Sequence, residues 1–321
     1  MSGFETYTQL RQAEDVQDEI YNISPIDNPV CSMSRTIQAT GKIHEWTQDE
    51  LQAPEKNAQV EGAPAGADQS TPVTELQNYC QIMTKVAEIT GTLEVVDKYG
   101  RDSEMAYQLE LRYGELANDE ETAVMGNPVS AGTQDGRQTA VAGDASTARE
   151  MASFYAQVDA GNIIDATADT TVADLEASLL AAHLATYQVG GNPGYAVTDP
   201  FTAGYFASFA LSAGRNRDIR NEKTLVNVID LYVSTYGELD VILDRNMTQD
   251  TGVAPFVGDN AIALIDFNYT ATPVLRATRD WPIAKLGDSD KRQILRESTF
   301  AVLNTKAHAI VDNVPLGLTV A

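Results

Sequence analysis

Lys42-Ile-His-Glu-Trp-Thr47 runs outward and Asn78-Tyr-Cys-Gln-Ile-Met-Thr-Lys-Val-Ala-Glu-Ile-Thr90 runs back, around the stretch QAPEKNAQVEGAPAGADQSTP at 52–72. The return run alternates, with Cys80, Ile82, Thr84 and Val86 on one face and Tyr79, Gln81, Met83 and Lys85 on the other. Thirteen residues in strand geometry would reach roughly 40 Å at about 3.3 Å each. The tip, with Pro54, Gly62, Pro64 and Gly66, reads as a loop and cannot form a core. A two-stranded ribbon of this length is marginal in water by itself. The stretch between Lys42 and Asp97 therefore predicts a surface that needs a partner, and another copy of the chain could supply it.

Working upstream, residues 1–37 read as an arm. A short helical stretch, Gln12 to Tyr21, breaks at Ser24-Pro25 and Asp27-Asn28-Pro29, because a residue before proline is pushed out of the helical region. Downstream, Ser103 to Met125 is the clearest helix, with Ser103 as N-cap and Gly126-Asn127-Pro128 as the stop. Its apolar stripe is thin: Ala106, Leu109, Tyr113, Leu116, Ala117 and Val124. Asp119-Glu120-Glu121 reads as its solvated face. Gly114 inside the helix costs about 1 kcal/mol relative to Ala and points to close packing there.

The remainder mixes helices and strands without regular βαβ alternation, which predicts an α+β fold. Helices are expected from Val172 to Tyr187, opened by Thr171 and Asp174 at capping-box spacing, and from Pro200 to Leu211. Strands are expected over Gly194–Thr198, over two runs between Thr224 and Met247 with a turn at Tyr236-Gly237-Glu238, and over Ala261–Phe267. Phe300–Leu303 and Ala307–Val311 complete the set.

The 321 residues carry 43% hydrophobic and 21% charged side chains, as a globular chain does, but a net charge of −24. Such a surface repels nucleic acid and anionic membranes. Residues 1–150 hold 26 acidic and 10 basic side chains, and 151–321 hold 20 and 12. Basic groups gather at Arg215, Arg217, Arg220 and Lys223, and from Arg276 to Arg296, either as patches complementary to another copy or as a solvated mixed-charge face. Cys31 and Cys80 stand in no disulfide or metal motif and are expected to be reduced. The polar, acidic start lacks the marks of a secretion signal, and no run has the length of a membrane span.

Catalytic chemistry finds no pattern. His44, His183 and His308 are scattered, and His183 reads as a core residue. Nucleophile elbow, phosphate loop and dinucleotide fingerprint are all missing from the sequence. Asp240 and Asp244 could act as a carboxylate pair in a hydrolase, but 46 acidic residues produce such spacings by chance. No cofactor or metal is expected.

Set in order, arm, protruding hairpin, long helix, mixed central lobe and returning C-terminal strands resemble the major capsid protein of tailed bacteriophages, with its Hong Kong 97 type of fold. The wording is similar to one such family found in short-tailed and related phages. It includes Ile23-Ser-Pro-Ile-Asp-Asn-Pro29, His44-Glu-Trp46, Glu61-Gly-Ala63, Asn78-Tyr-Cys-Gln-Ile82, Gly190-Gly-Asn-Pro193, Tyr236-Gly-Glu-Leu239, Asp244-Arg-Asn-Met247 and Ala284-Lys-Leu-Gly-Asp-Ser289. The resemblance implies an N-terminal arm over 1–37 and an extended loop over 38–97 lying on a neighbouring subunit. It implies a peripheral domain over 98–149 with its spine helix at 103–127, an axial domain over 150–270, and a return to the peripheral domain over 271–321.

It also implies a structural protein rather than an enzyme. Copies would assemble through pentamers and hexamers into an icosahedral shell in the host cytoplasm, enclosing double-stranded DNA without reading its sequence. The expected contacts are His44, Glu45, Trp46, Leu51, Tyr79 and Ile82 on the loop, Pro25 and Pro29 on the arm, and Arg215, Arg217 and Arg220 between capsomer subunits. A portal protein is an expected partner, with a cement or decoration protein and a separate scaffold left open. An encapsulin-like compartment with protein cargo is the nearest rival; a tail or adhesin component forming tubes or fibres is another.

Overall fold

The alternating run from Asn78 to Thr90 is not one strand. In the computed structural model it breaks at Cys80, and its two halves join different sheets. The structure describes residues 27–52, 54–62, 64, 66, 70–96, 102–125, 139–212, 231–247, 260–285, 287–315 and 317–319.

In chain order the helices are α1 (Pro29–Met33), α2 (Gly91–Val95), α3 (Glu104–Met125), α4 (Phe154–Gln157), α5 (Val172–Gln188) and α6 (Ala203–Ser212). The strands begin with β1 (Arg35–Gln38), β2 (Ile43–Gln48), β3 (Thr74–Tyr79), β4 (Gln81–Thr90), β5 (Ile163–Asp165) and β6 (Tyr195–Thr198). They continue with β7 (Leu231–Val233), β8 (Glu238–Leu243), β9 (Ile262–Ile265), β10 (Thr270–Pro282), β11 (Ser289–Ser298), β12 (Ala301–Val302) and β13 (Ala309–Asp312).

The first sheet has the order β1-β10-β11-β4, with β12 also on β10. All its pairs are antiparallel except β1 with β10. On one face, Met83, Ala87 and Ile89 are buried towards α3, and Lys85 reaches Asp119 of that helix at 2.7 Å. The other face is exposed at Ile82 and Val86. The second sheet has the order β5-β13-β9-β6-β8-β7. Ile262 and Leu264 of β9 pack with Leu175, Leu179, Phe206 and Phe209 of α5 and α6. Ala263 and Ile265 face the other way, into the core shared with Val124, Met125, Phe154 and Phe300. Cover on both faces explains why β9 is apolar throughout rather than alternating. Each large side chain fully buried there contributes roughly 1.5–3 kcal/mol.

Three expectations are corrected. Residues 27–37, grouped with the arm, fold onto their own subunit: Val30 is fully buried and Arg35 to Gln38 pair with β10. Pro29, fixed near helical φ, opens α1 instead of a bend. Within the extended loop, the hairpin proper is Ile43 to Tyr79, while Gln81 to Thr90 pair residue by residue with β11. The C-terminal return is also shared, with β10 to β12 in the first sheet and β13 in the second. Ala309, Ile310 and Val311 are buried on both faces, which only the doubly covered sheet offers.

The solvated face of α3 is corrected too. Glu120 and Glu121 are buried, whereas Ala106 and Tyr113 of the apolar stripe are exposed. Glu120 accepts from Arg296 Nε at 2.8 Å and Ser298 Oγ at 2.6 Å, so its charge is met inside the protein. Partners on another strand, not the local periodicity, decide which side of the helix faces inward.

Candidate assembly surfaces

The hairpin leaves the body at Asn78, which is fully buried. Its Nδ2 donates to the carbonyls of Ala152 at 3.2 Å and Phe300 at 2.7 Å. Its Oδ1 accepts from the amides of Ala152 and Tyr79, both at 2.8 Å. One side chain thus satisfies backbone groups of three segments where the ladder changes sheets. Opposite it, the Cys80 amide donates to the carbonyl of Lys42 at 2.9 Å, closing the root.

Outward from that root, His44 pairs with Asn78, Trp46 with Leu76 and Gln48 with Thr74. His44, Trp46 and Gln48 are half-buried, and the two rings stack with centroids 5.7 Å apart. Partial burial lowers the His44 pKa, so its ring is neutral at physiological pH. This face rests on the turn after β12. Trp46 Nε1 donates to the Val302 carbonyl at 3.0 Å, and Gln48 Oε1 accepts from the Thr305 amide at 3.0 Å. Lys306 Nζ lies 2.5 Å from Glu50. The opposite face carries Glu45 and Thr47, both exposed.

Beyond Gln48 and before Thr74, every described residue is exposed and none is in a strand or helix. Leu51 is 97% exposed, and Val60 and Val73 are exposed too. Between residues 42 and 79 the sequence has seven acidic and two basic side chains. The four long or paired strands of the first sheet reverse this, with seven basic and four acidic side chains in β1, β4, β10 and β11. Register places Ile82, Thr84, Val86 and Glu88 on the same face as Glu297, Leu295, Gln293 and Lys291, a face that is exposed at Ile82 and Val86 but buried at Leu295 and Glu297. Arg279 and Trp281 of β10 continue that face, with the guanidinium 5.5 Å from the ring centroid.

Most expected contact residues can therefore be placed. Glu45 and Leu51 project from the hairpin, His44 and Trp46 turn towards their own subunit, and Tyr79 is partly buried at the root. Ile82 lies on the exposed part of the first sheet rather than the hairpin. Pro29 starts α1 on the subunit body. Pro25, Arg215, Arg217 and Arg220 lie outside the described residues.

Asp240 and Asp244 do not share an environment: Asp240 is exposed on β8, and Asp244 is fully buried beyond its end. Asp244 instead interacts with Glu121 and Asp27, an association that no local sequence spacing signals. His183 is buried, its Nδ1 3.0 Å from Ser234 Oγ, and burial lowers its pKa. Among the described residues no group of three or more His, Cys, Asp or Glu side chains is placed to hold a metal ion, and no helix is long and apolar enough to cross a membrane.

Several solved structures share this arrangement. The chain superposes on the capsid of a native GTA particle with a TM-score of 0.63 at 10% identity, covering 96% of both chains. For Microbacterium phage Oxtober96 the TM-score is 0.61 at 14% identity, over 95% of this chain and 96% of that one. For the SrpI encapsulin of Synechococcus elongatus it is 0.59 at 11% identity, over 99% and 98%. The fold is the Hong Kong 97 type of tailed-phage capsids. In sequence, the major capsid protein of Escherichia phage Phieco32 is 24% identical over 333 residues, with 92% of each chain covered. A family model described as the SU10 major capsid protein matches residues 1–315, and the chain belongs to that family of structural shell proteins.

Proposed function

We propose that copies of this chain assemble through pentamers and hexamers into an icosahedral shell around phage double-stranded DNA, in the cytoplasm of the bacterial host. The observation that carries this reading is the hairpin: it is locked at its root by Asn78 and clipped to Val302 and Thr305, yet beyond Gln48 it is exposed. A rigid base with an uncovered end suits a contact made by the next subunit.

Its acidic outer part is matched by the exposed part of a neighbour's first sheet, where Ile82, Val86 and Trp281 lie beside Arg279, with Arg276 and Lys291 on the same face paired to Glu297 and Glu88. Glu45 and Leu51 are the hairpin side of that contact and Ile82 is the receiving side, while the stacked His44 and Trp46 hold the hairpin against its own subunit. Tyr79 steadies the root. Pro29 positions the chain for an arm that includes Pro25, and Arg215, Arg217 and Arg220 contact the next subunit within a capsomer. A net charge of −24 gives a wall that does not bind DNA, so packaged DNA slides along it. A portal protein completes one vertex, and a separate scaffold and a decoration protein are the further partners.

An encapsulin-like compartment is the second reading, favoured by one structural likeness that spans nearly the whole chain. Electron microscopy of particles from infected cells, with extraction of their contents, separates the two. Closed shells holding double-stranded DNA are expected. Shells holding a protein cargo and no DNA, or tubes and fibres, overturn the proposal.

A further inference from the structure

Two buried carboxylates flank the start of α1, one on α3 and one beside the turn that holds Asp27. Glu121, in α3 against the first sheet, is fully buried and accepts from the amides of Val30 at 2.8 Å and Cys31 at 2.9 Å. Both its oxygens are thereby committed to the first turn of α1. Asp244, immediately after β8 of the second sheet, is also fully buried. Its Oδ1 accepts from the Asn246 amide at 2.8 Å, while its Oδ2 has no hydrogen-bond partner among the described residues. The Asn246 side chain donates to the carbonyl of Asp27, so the turn after β8 also holds the start of the α1 segment.

The charged groups around this pair are accounted for element by element among the described residues. Asp27 precedes α1, the Cys31 thiol is on α1, Glu120 is on α3, Arg245 is in the turn after β8, and Arg296 is on β11. Both arginines are engaged elsewhere, Arg245 with Asp27 at 3.5 Å and Arg296 with Glu120 at 2.8 Å. Burial and the neighbouring glutamates push the Cys31 thiol well up, so it stays neutral. No cation among the described residues remains for Glu121 and Asp244. Two buried ionised carboxylates that act on one another repel, so one of them keeps a proton. Glu121 receives two N–H donors, which favour its ionised form, and the unpartnered Oδ2 of Asp244 is the atom with room for the hydrogen.

We propose that Glu121 and Asp244 form a proton-operated latch, which docks Asp27–Met33 onto α3 and the Arg245–Met247 turn while the pair holds a proton and loosens when it is lost. Burial, then repulsion from Glu121 and Asp27, raises Asp244 to about 7, and burial raises Glu121 as well. A raised carboxyl pKa means the docked state holds the proton more tightly than the released one. The latch is therefore fully set below the ordinary carboxyl pKa of about 4 and loosens as pH rises through about 7.

Hydrogen exchange of the full chain, corrected for the intrinsic pH dependence, tests this on the peptide covering residues 27–34. Protection should fall by up to about tenfold per pH unit between pH 5 and 7 and level off above. Asp244→Asn, neutral at every pH, should remove that slope, and Glu121→Gln, which takes away the repulsion but leaves Asp244 buried, should make it shallower. Wild-type protection that does not vary over this range overturns the proposal, as does a folded Asp244→Asn variant that keeps the wild-type slope.

Discussion

Trp46 and Val302 stand 256 positions apart, yet the indole N–H of one donates to the carbonyl of the other at 3.0 Å. That bond ties a protruding hairpin to the far end of its own chain. It fixes where the hairpin points before any second subunit arrives.

Trp46→Phe keeps the ring surface but leaves the Val302 carbonyl without this donor. We expect a loss of about 0.5–1.5 kcal/mol in urea unfolding. Slower shell formation at matched subunit concentration should accompany it, followed by light scattering.

Asn78→Ala should be far worse for the subunit. It leaves the buried Ala152 amide without its acceptor, at about 1–3 kcal/mol, while the Ala152 and Phe300 carbonyls each lose one donor but keep Gln157 Nε2. A loss of about 2–3 kcal/mol in urea unfolding is expected. A loss under 1 kcal/mol would show that the root is held by something else.

The described residues between Gln52 and Ser70 are all exposed and lie outside any strand or helix, so their deletion removes no packed side chain among them. The subunit should keep its thermal midpoint within a few degrees, while sedimentation and electron microscopy should find no closed shells, or far fewer. Normal shell yield would reject the hairpin as an essential contact.

Charge reversal separates the two sides of the proposed contact. Arg279→Glu alters an exposed residue of the first sheet, so unfolding should hardly change. Assembly should slow, most clearly at low salt where charge steering is strongest. Reversing Arg215, Arg217 and Arg220 together tests the capsomer contact in the same assay.

His308 supplies an acid-side prediction. It is fully buried, and desolvation lowers its pKa to about 4. A lowered histidine pKa means the unfolded chain binds the proton first. Its contribution is present above the ordinary pKa of about 6.5 and is lost as pH falls towards 4. Over that interval the stability difference between wild type and His308→Gln should narrow by roughly 3 kcal/mol, read from unfolding at several pH values.

Local signals were read well from sequence. Thr171 and Asp174 make the reciprocal capping box that their spacing promised, and α3 at Glu104–Met125 fills the span expected for it, its expected stop at residues 126–128 lying outside the described residues. The strands at 195–198 and 262–265 fall inside their expected runs. The rest depends on partners remote in sequence. Alternation continues unbroken through Cys80, so only the Ala152 and Phe300 backbone reveals that the strand changes sheets there. Glu120 and Glu121 look solvated until Arg296 and the amides of α1 are placed against them. Asp244 drew notice for its nearness to Asp240, while its physical neighbour is Glu121.

β13 lies inside the second sheet, parallel to β5 at Ile163–Asp165 and antiparallel to β9. The interior of that sheet is thus closed by a strand that emerges after every other strand described. Until β13 has emerged, β5 and β9 each keep an edge unpaired, and the nascent chain carries an unfinished lobe. Synthesis thereby sets a timer on the second sheet: its two halves cannot be joined before the far end of the first sheet has already been made.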